Sequence, residues 1–306
     1  MSSGPRILIL GSAGQLGTEL QRSFSTAGTI LAWDKERFDL ANPDQVRAAV
    51  RESAPEIILN ASAYTAVDRA ESEPDLAMAV NAGAPQILAE EAKRSGALLV
   101  HYSTDYVFDG SKSGAWVEAD TPQPLNVYGA SKLAGEQAIV RVGGRFLIFR
   151  TSWVYGPHGK NFLLTMLRLG REREQLTVVD DQIGAPTTSI ELADVTRTIV
   201  DGVDAGRCGA ADSWAGIYHM TCGGAVSWCG FAKAIFERAR SMLGGKIPEV
   251  SPIPTSQYPT PARRPHNSVL SNERLFARFG VKLAQWDDAL DVAMRRLQND
   301  IPTDGA

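Results

Sequence analysis

Arg6-Ile-Leu-Ile-Leu10 runs straight into Gly11-Ser-Ala-Gly14-Gln-Leu-Gly17, and Thr18-Glu-Leu-Gln-Arg-Ser-Phe24 follows with helical periodicity. A short, unbroken aliphatic run marks a parallel strand buried on both faces. Strand, glycine turn and helix start, in that order, aim helix N-terminal amides at a pyrophosphate. The glycines let the backbone turn tightly, approach the phosphates and bring the helix close to the strand. The spacing is G-x-x-G-x-x-G rather than G-x-G-x-x-G, so its force comes from its place between a buried strand and a helix. The stretch predicts the opening unit of a dinucleotide-binding sheet.

The alternation continues through the first half. Thr29-Ile-Leu-Ala-Trp33 reads as a second strand, with further strands at 56–60, 98–103 and 145–151 and helices at 44–53, 75–94 and 126–142. Strands alternating with helices predict an α/β, Rossmann-type doubly wound parallel sheet covered on both faces. Functional groups then collect at the carboxyl ends of the strands, where Asn60-Ala-Ser-Ala-Tyr-Thr65, Ser103-Thr-Asp105 and Thr151-Ser-Trp153 fall. The second half is more broken. Residues 248–265 hold six of the 16 prolines, which predicts an extended surface connection. Helices near 228–243 and 286–298 flank it and suggest a smaller lobe. The expected division is a dinucleotide-binding domain over 1–155, rejoined by a segment near 185–215, with 156–184 and 216–306 forming a substrate-binding lobe.

Composition narrows the function. A chain of 306 residues with 44% hydrophobic content has room for a large core and a second lobe. A net charge of −4 gives no reason to expect nucleic acid or an anionic membrane as partner. No apolar run approaches the ~20 residues that span a bilayer, and Met1 to Arg6 lead directly into a core strand without the pattern of a signal peptide. Three cysteines (Cys208, Cys222, Cys229) fit neither a disulfide framework nor zinc spacing, and four scattered histidines add no metal site. The expectation is a cytoplasmic protein.

Tyr128 and Lys132 stand four residues apart in a predicted helix, with Ser103-Thr104 at a strand end upstream. A ketone that takes up a hydride becomes an alkoxide and needs a proton at the same moment. A free phenol titrates near pH ~10, and a lysine ammonium on the same helix face is expected to draw it down toward working pH. A hydroxyl from Thr104 or Ser103 can then hydrogen-bond the substrate oxygen. A solvated helix face explains the Tyr–Lys spacing equally well when it is read alone, and the N-terminal stretch is what favours hydride transfer.

Asp34 closes the second strand, twenty residues after Gly14, and suits the adenosine ribose hydroxyls of NADH. Lys35 and Arg37 follow at once and suit a 2′-phosphate, so use of both NADPH and NADH is expected. Trp153 reads as a core aromatic or as a sugar-stacking platform. Arg263-Arg264 lie in the proline-rich segment and offer a fork-shaped cation for a substrate pyrophosphate. Asp68-Arg69-Ala-Glu71-Ser-Glu73 reads as a solvated helix start, structural rather than catalytic.

These segments resemble the extended short-chain dehydrogenase/reductase family, and within it the branch that reduces dTDP-4-dehydro-L-rhamnose. The resemblance covers nearly the whole chain. It rests on Gly11 to Gly17, Asn60 to Pro74, His101 to Gly110, Pro124 to Glu136, Phe149 to Tyr155, Asp180 to Thr187 and Tyr258-Pro-Thr-Pro261. It implies Tyr128 as proton donor, Lys132 as its electrostatic partner and ribose contact, and Thr104 as the hydroxyl that tunes the site. It further implies Gly14, Gln15 and Leu16 along the pyrophosphate, Asp34, Asp39 and Leu40 at the adenosine end, and Ala63, Tyr64 and Thr65 beside the nicotinamide. Asp105 and Trp153 would touch the deoxysugar of a dTDP-sugar substrate. Some relatives are homodimers bridged by magnesium through carboxylates, and Ile190 stands here where one of those would be, with Glu191 beside it. Two other readings stay open: an epimerase or dehydratase that keeps NAD⁺, and a non-catalytic regulatory subunit similar to the methionine adenosyltransferase β subunit.

Overall fold

The structure, a computed structural model, describes residues 4–299. Six parallel strands form its main sheet: β1 (Arg6–Leu10), β2 (Thr29–Trp33), β3 (Ile57–Asn60), β4 (Leu98–Thr104), β5 (Phe146–Thr151) and β6 (Gly216–His219). Their order is β6-β5-β4-β3-β1-β2. Alternate side chains feed two cores, as the pleat requires. Ile7, Ile9, Leu59, Val100 and Phe149 pack against α1 (Gln15–Phe24) and the helix Ser189–Asp204. Leu8, Leu10, Ile58, Leu99 and Ile148 pack against α2 (Pro43–Ser53), α3 (Ala84–Ser95) and α4 (Val127–Val142). Burial on both faces explains why these strands read as unbroken apolar runs. The winding reverses between β1 and β3, and ligands of such sheets lodge in the crevice outside the carboxyl ends there.

The helix expected over 75–94 is three pieces: Pro74–Met78, a π turn Ala79–Gly83, and α3. The π turn brings Asn81 hard against α4, where a Cβ on Gly135 would lie 2.1 Å from the Asn81 carbonyl oxygen. Asn81 Oδ1 accepts the Tyr64 amide at 2.8 Å, while Nδ2 donates to the Tyr64 carbonyl at 3.0 Å and to Ser131 Oγ at 2.9 Å. No periodicity argument reveals such a bulge, because it inserts one residue into an otherwise helical pattern.

A third core gathers Leu163, Met166, Phe231, Ile235, Phe236, Leu290 and Met294 from the helices Phe162–Glu172, Trp228–Arg238 and Trp286–Asn299. The proline-rich segment is not extended loop throughout. Glu249–Ile253 pairs in parallel with Gln175–Val179, and Pro252 is tolerated because a two-stranded sheet is all edge. The sheet itself takes its sixth strand from Gly216–His219, just past the 185–215 segment expected to rejoin it. No helix among the described residues is long and apolar enough to cross a membrane.

Candidate active site

A groove of about 810 Å³ opens at the carboxyl ends of β1 and β3. Its floor begins at Gly11, whose φ of +78° and whose approach to Ser62 N, 2.8 Å from where a Cβ would stand, exclude any other residue without strain. A Cβ on Gly17 would lie 2.1 Å from the Gly11 carbonyl oxygen, so this glycine lets α1 close on the turn. Gly14 caps α1 with no side-chain hydrogen bond and no acidic residue stands in the first turn. The first helical amides therefore remain available to an anion. Gln15 and Leu16 line the groove beside them.

The adenosine end carries Asp34, Lys35, Phe38, Asp39 and Leu40. Asp34 Oδ1 accepts the Glu36 amide at 3.0 Å. Arg37 places its guanidinium carbon 4.0 Å from the Trp33 ring centroid and does not line the groove. Ala63, Tyr64 and Thr65 form the opposite wall, fixed by Asn81 and by a Tyr64 hydroxyl bond to Glu73 of 2.6 Å. Gly159 and Lys160 close the groove from the loop after β5. Neither was expected from the sequence, although a Gly-Lys pair four residues beyond a strand-end tyrosine was a readable signal.

Tyr128 and Lys132 line the far end of the same groove. The turn of α4 that carries Tyr128 is held from three sides. Asn126 Oδ1 accepts the Gly129 amide, Glu71 accepts the Val127 amide, and Asn126 Nδ2 donates to the Arg263 carbonyl, each at 2.8 Å. Glu71 thus acts as a helix cap. Tyr106 packs edge-on against the Tyr128 ring at 5.8 Å. Thr104 faces the phenol and donates to Asp105 Oδ1 at 3.0 Å, whereas Ser103 is engaged with Glu136. Burial lifts the Asp105 carboxyl to about 6 against the bonds it receives from Ser268 and Thr104, and its Oδ2 has no partner among the described residues.

The expected lowering of the phenol by Lys132 is absent from the free protein. Burial pushes Tyr128 up to about 12, with the Thr104 bond opposing and the Asp105 charge adding to the rise. Lys132 donates instead to the Tyr102 carbonyl at 2.6 Å and lies 3.3 Å from His101 Nε2. Burial draws the lysine itself down to about 8, with Glu136 opposing. The geometry that brings i and i+4 side chains to one face did not specify where the ammonium would point.

Two further residues sit apart from the groove. Trp153 adopts φ +47° and stacks on Trp228 with centroids 3.5 Å apart, so one face of its indole is covered. Arg264 directs its fork onto Asp68, at 3.1 and 2.8 Å, and so is paired rather than free for a pyrophosphate. Ile190 is buried, and Glu191 accepts the Ala284 amide at 3.0 Å. No cluster of His, Cys, Asp or Glu suited to a metal ion occurs among the described residues.

Residues 5–299 match the model of the family described as RmlD substrate binding domain. A dTDP-4-dehydrorhamnose reductase of Burkholderia thailandensis is 47% identical over 295 residues, covering 95% of this chain and 99% of the relative. The chain belongs to the dTDP-4-dehydrorhamnose reductase family. The Escherichia coli K12 member is 43% identical over 306 residues, covering 97% of this chain and 98% of its own length. A crystal structure of the Bacillus anthracis member in complex with NADP superposes with a TM-score of 0.88 at 37% identity, covering 96% of this chain and 99% of that one.

Proposed function

We propose that this chain reduces the C4 ketone of dTDP-4-dehydro-L-rhamnose to dTDP-L-rhamnose, using NADPH or NADH. The observation that carries this reading is one continuous groove, running from the uncapped start of α1 and the Gly11 turn to Tyr128 and Lys132. A dinucleotide fits it. The Gly11–Gly17 contact leaves no side chain between backbone and phosphates, α1 offers its amides, and Asp34 and Asp39 stand at the adenosine end.

The bound nicotinamide supplies the hydride for the carbonyl carbon. Tyr128, neutral across the working range because burial holds it up to about 12, donates its proton to the carbonyl oxygen as negative charge develops there. Thr104, by turning its single hydroxyl proton from Asp105 to the substrate, hydrogen-bonds that oxygen. Lys132 holds a positive charge below about pH 8 beside the ribose position, and that charge favours electron density building on the phenol oxygen. The deoxysugar contacts in this reading are Asp105, whose Oδ2 has no partner among the described residues, and Trp153.

The test is turnover. The protein is incubated with enzymatically made dTDP-4-keto-6-deoxysugar and NADPH, with and without the epimerase that precedes this step, and loss of nicotinamide absorbance is followed. Oxidation dependent on the epimerase, with dTDP-L-rhamnose as product, is the expected result. No oxidation under either condition overturns the reading.

A further inference from the structure

Lys132 ends in a buried polar chain that the proposed chemistry does not use. Asn60 and His101 are register partners on β3 and β4, and both are buried. Asn60 Nδ2 lies 3.0 Å from His101 Nδ1, and His101 Nε2 lies 3.3 Å from Lys132 Nζ. At the other end, Asn60 Oδ1 accepts from the Ser62 hydroxyl and from the Ser62 backbone amide, the latter at 3.3 Å.

Donor and acceptor identities can be assigned along this chain. A backbone N–H only donates, so the atom of Asn60 that meets Ser62 is the oxygen. The atom facing His101 is then the amide nitrogen, which donates to Nδ1. Burial holds His101 well below its ordinary value, so the ring is neutral and carries one proton. With Nδ1 accepting, that proton sits on Nε2 and points at Lys132. An Nε2–H meets a lysine nitrogen favourably only where the nitrogen has a lone pair, that is, in the uncharged amine. Against an ammonium the same contact sets two N–H dipoles head to head.

We propose that Asn60 and His101 form a positioning pair that holds the imidazole as its Nε2–H tautomer and so biases Lys132 toward its uncharged amine. The inference rests on Lys132 serving Tyr128 as proposed above. The other charges near Lys132 do not supply this bias. Glu136, one turn on in α4, favours the ammonium, and it is itself neutralised by Arg150 of β5 at 2.6 Å. Tyr128, one turn back, is uncharged. The consequence is a lysine poised to recharge the phenol. After Tyr128 has given up its proton, one N–H bond of the ammonium breaks and one O–H bond forms at the Tyr128 oxygen, the proton crossing the gap between the two groups through water. The amine left behind accepts the bond from His101, and a proton from water in the groove restores the ammonium.

The decisive measurement is nitrogen NMR of protein labelled with ¹⁵N-histidine, His101 being assigned by its loss in a His101→Gln sample. A proton on Nε2 is expected, and a proton on Nδ1 overturns the proposal. The one-atom change Asn60→Asp removes the donor and forces the ring to give Nδ1–H, turning Nε2 into an acceptor that favours the ammonium. Titration of Lys132, followed by ¹³C NMR of ε-labelled lysine, should then move upward by one pH unit or more. The basic limb of kcat/KM should move with it. An inverted tautomer with an unmoved lysine titration also overturns the proposal. Both NMR readouts work without turnover, so they stand or fall apart from the reductase reading.

Discussion

Lys132 stands one helical turn after Tyr128, yet its ammonium donates to the Tyr102 carbonyl at 2.6 Å rather than to the phenol. Two consequences follow for pH. The phenol, lifted to about 12 by burial, stays protonated throughout the working range, while the lysine, drawn to about 8, loses its charge within it. A lowered lysine value means charge below it and none above it. The kcat/KM for reduction should therefore fall as pH rises through about 8, since this ratio reports groups of the free enzyme. Lys132→Met should abolish that limb and weaken binding of the dinucleotide. A wild-type profile that stays flat to pH 10 would assign no ionisation to Lys132 in the reaction.

Tyr128→Phe should leave dinucleotide affinity within about twofold and reduce kcat by at least ~10²-fold, the scale for losing a general acid. Thr104 still faces the position in that variant, so the fold of the site is kept. Fluorescence titration with NADPH together with single-turnover kinetics separates the two effects. Near-normal kcat would remove Tyr128 from the chemistry.

Arg150 and Glu136 form a bidentate pair with side chains 3% and 1% exposed, and Ser103 also donates to the carboxylate. Arg150→Met leaves a buried carboxylate without its countercharge, which costs about 3–5 kcal/mol of folding stability. Urea unfolding measures this directly. A loss below about 1 kcal/mol would show that the pair is readily hydrated and does not anchor α4 to β5.

Gly17→Ala tests the opening turn. The added methyl would stand 2.1 Å from the Gly11 carbonyl oxygen, a backbone atom that cannot swing aside. Strain of about 1–3 kcal/mol should push α1 away from the turn and raise the Kd for NADPH by tenfold or more. Unchanged stability and unchanged Kd in the alanine variant would mean that the helix and turn are less closely apposed than the geometry requires.

What the sequence could say tracks the reach of each signal. Ile7 to Leu10 are apolar without a break because both faces of the strand are covered, so the doubly wound sheet is legible in the order of residues alone. The Gly11–Gly17 turn and the Tyr128–Lys132 face are legible because each depends on spacing within a few residues. What stays hidden depends on contacts distant in the chain. Asp68 captures Arg264 from 196 residues away, Trp228 stacks on Trp153, and the π turn at Asn81 exists to meet Gly135. Lys132 belongs with these, since the direction of its ammonium is set by β4 and not by α4.

Cofactor choice is the sharpest test of the groove's adenosine end. Asp34 lines it and should repel a 2′-phosphate, whereas Lys35 lines it too and should attract one. Arg37, its guanidinium over the Trp33 ring and outside the groove lining, adds to the attraction only at longer range. Opposed charges of this kind predict discrimination between NADPH and NADH within about tenfold in kcat/KM, a difference of roughly 1.4 kcal/mol. Asp34→Ala should shift the ratio toward NADPH, and Lys35→Ala should shift it toward NADH. Arg37→Ala should have the smaller effect of the two cationic changes, because its guanidinium is committed to the indole. Exposed charges are screened over ~10 Å at 0.1 M salt, so every one of these shifts should shrink as salt is raised. Steady-state kinetics with both cofactors at two salt concentrations measures all of them. If Asp34→Ala leaves the ratio unmoved at low salt, the carboxylate faces the Glu36 amide and solvent rather than the ribose, and the adenosine end must be placed elsewhere along the groove.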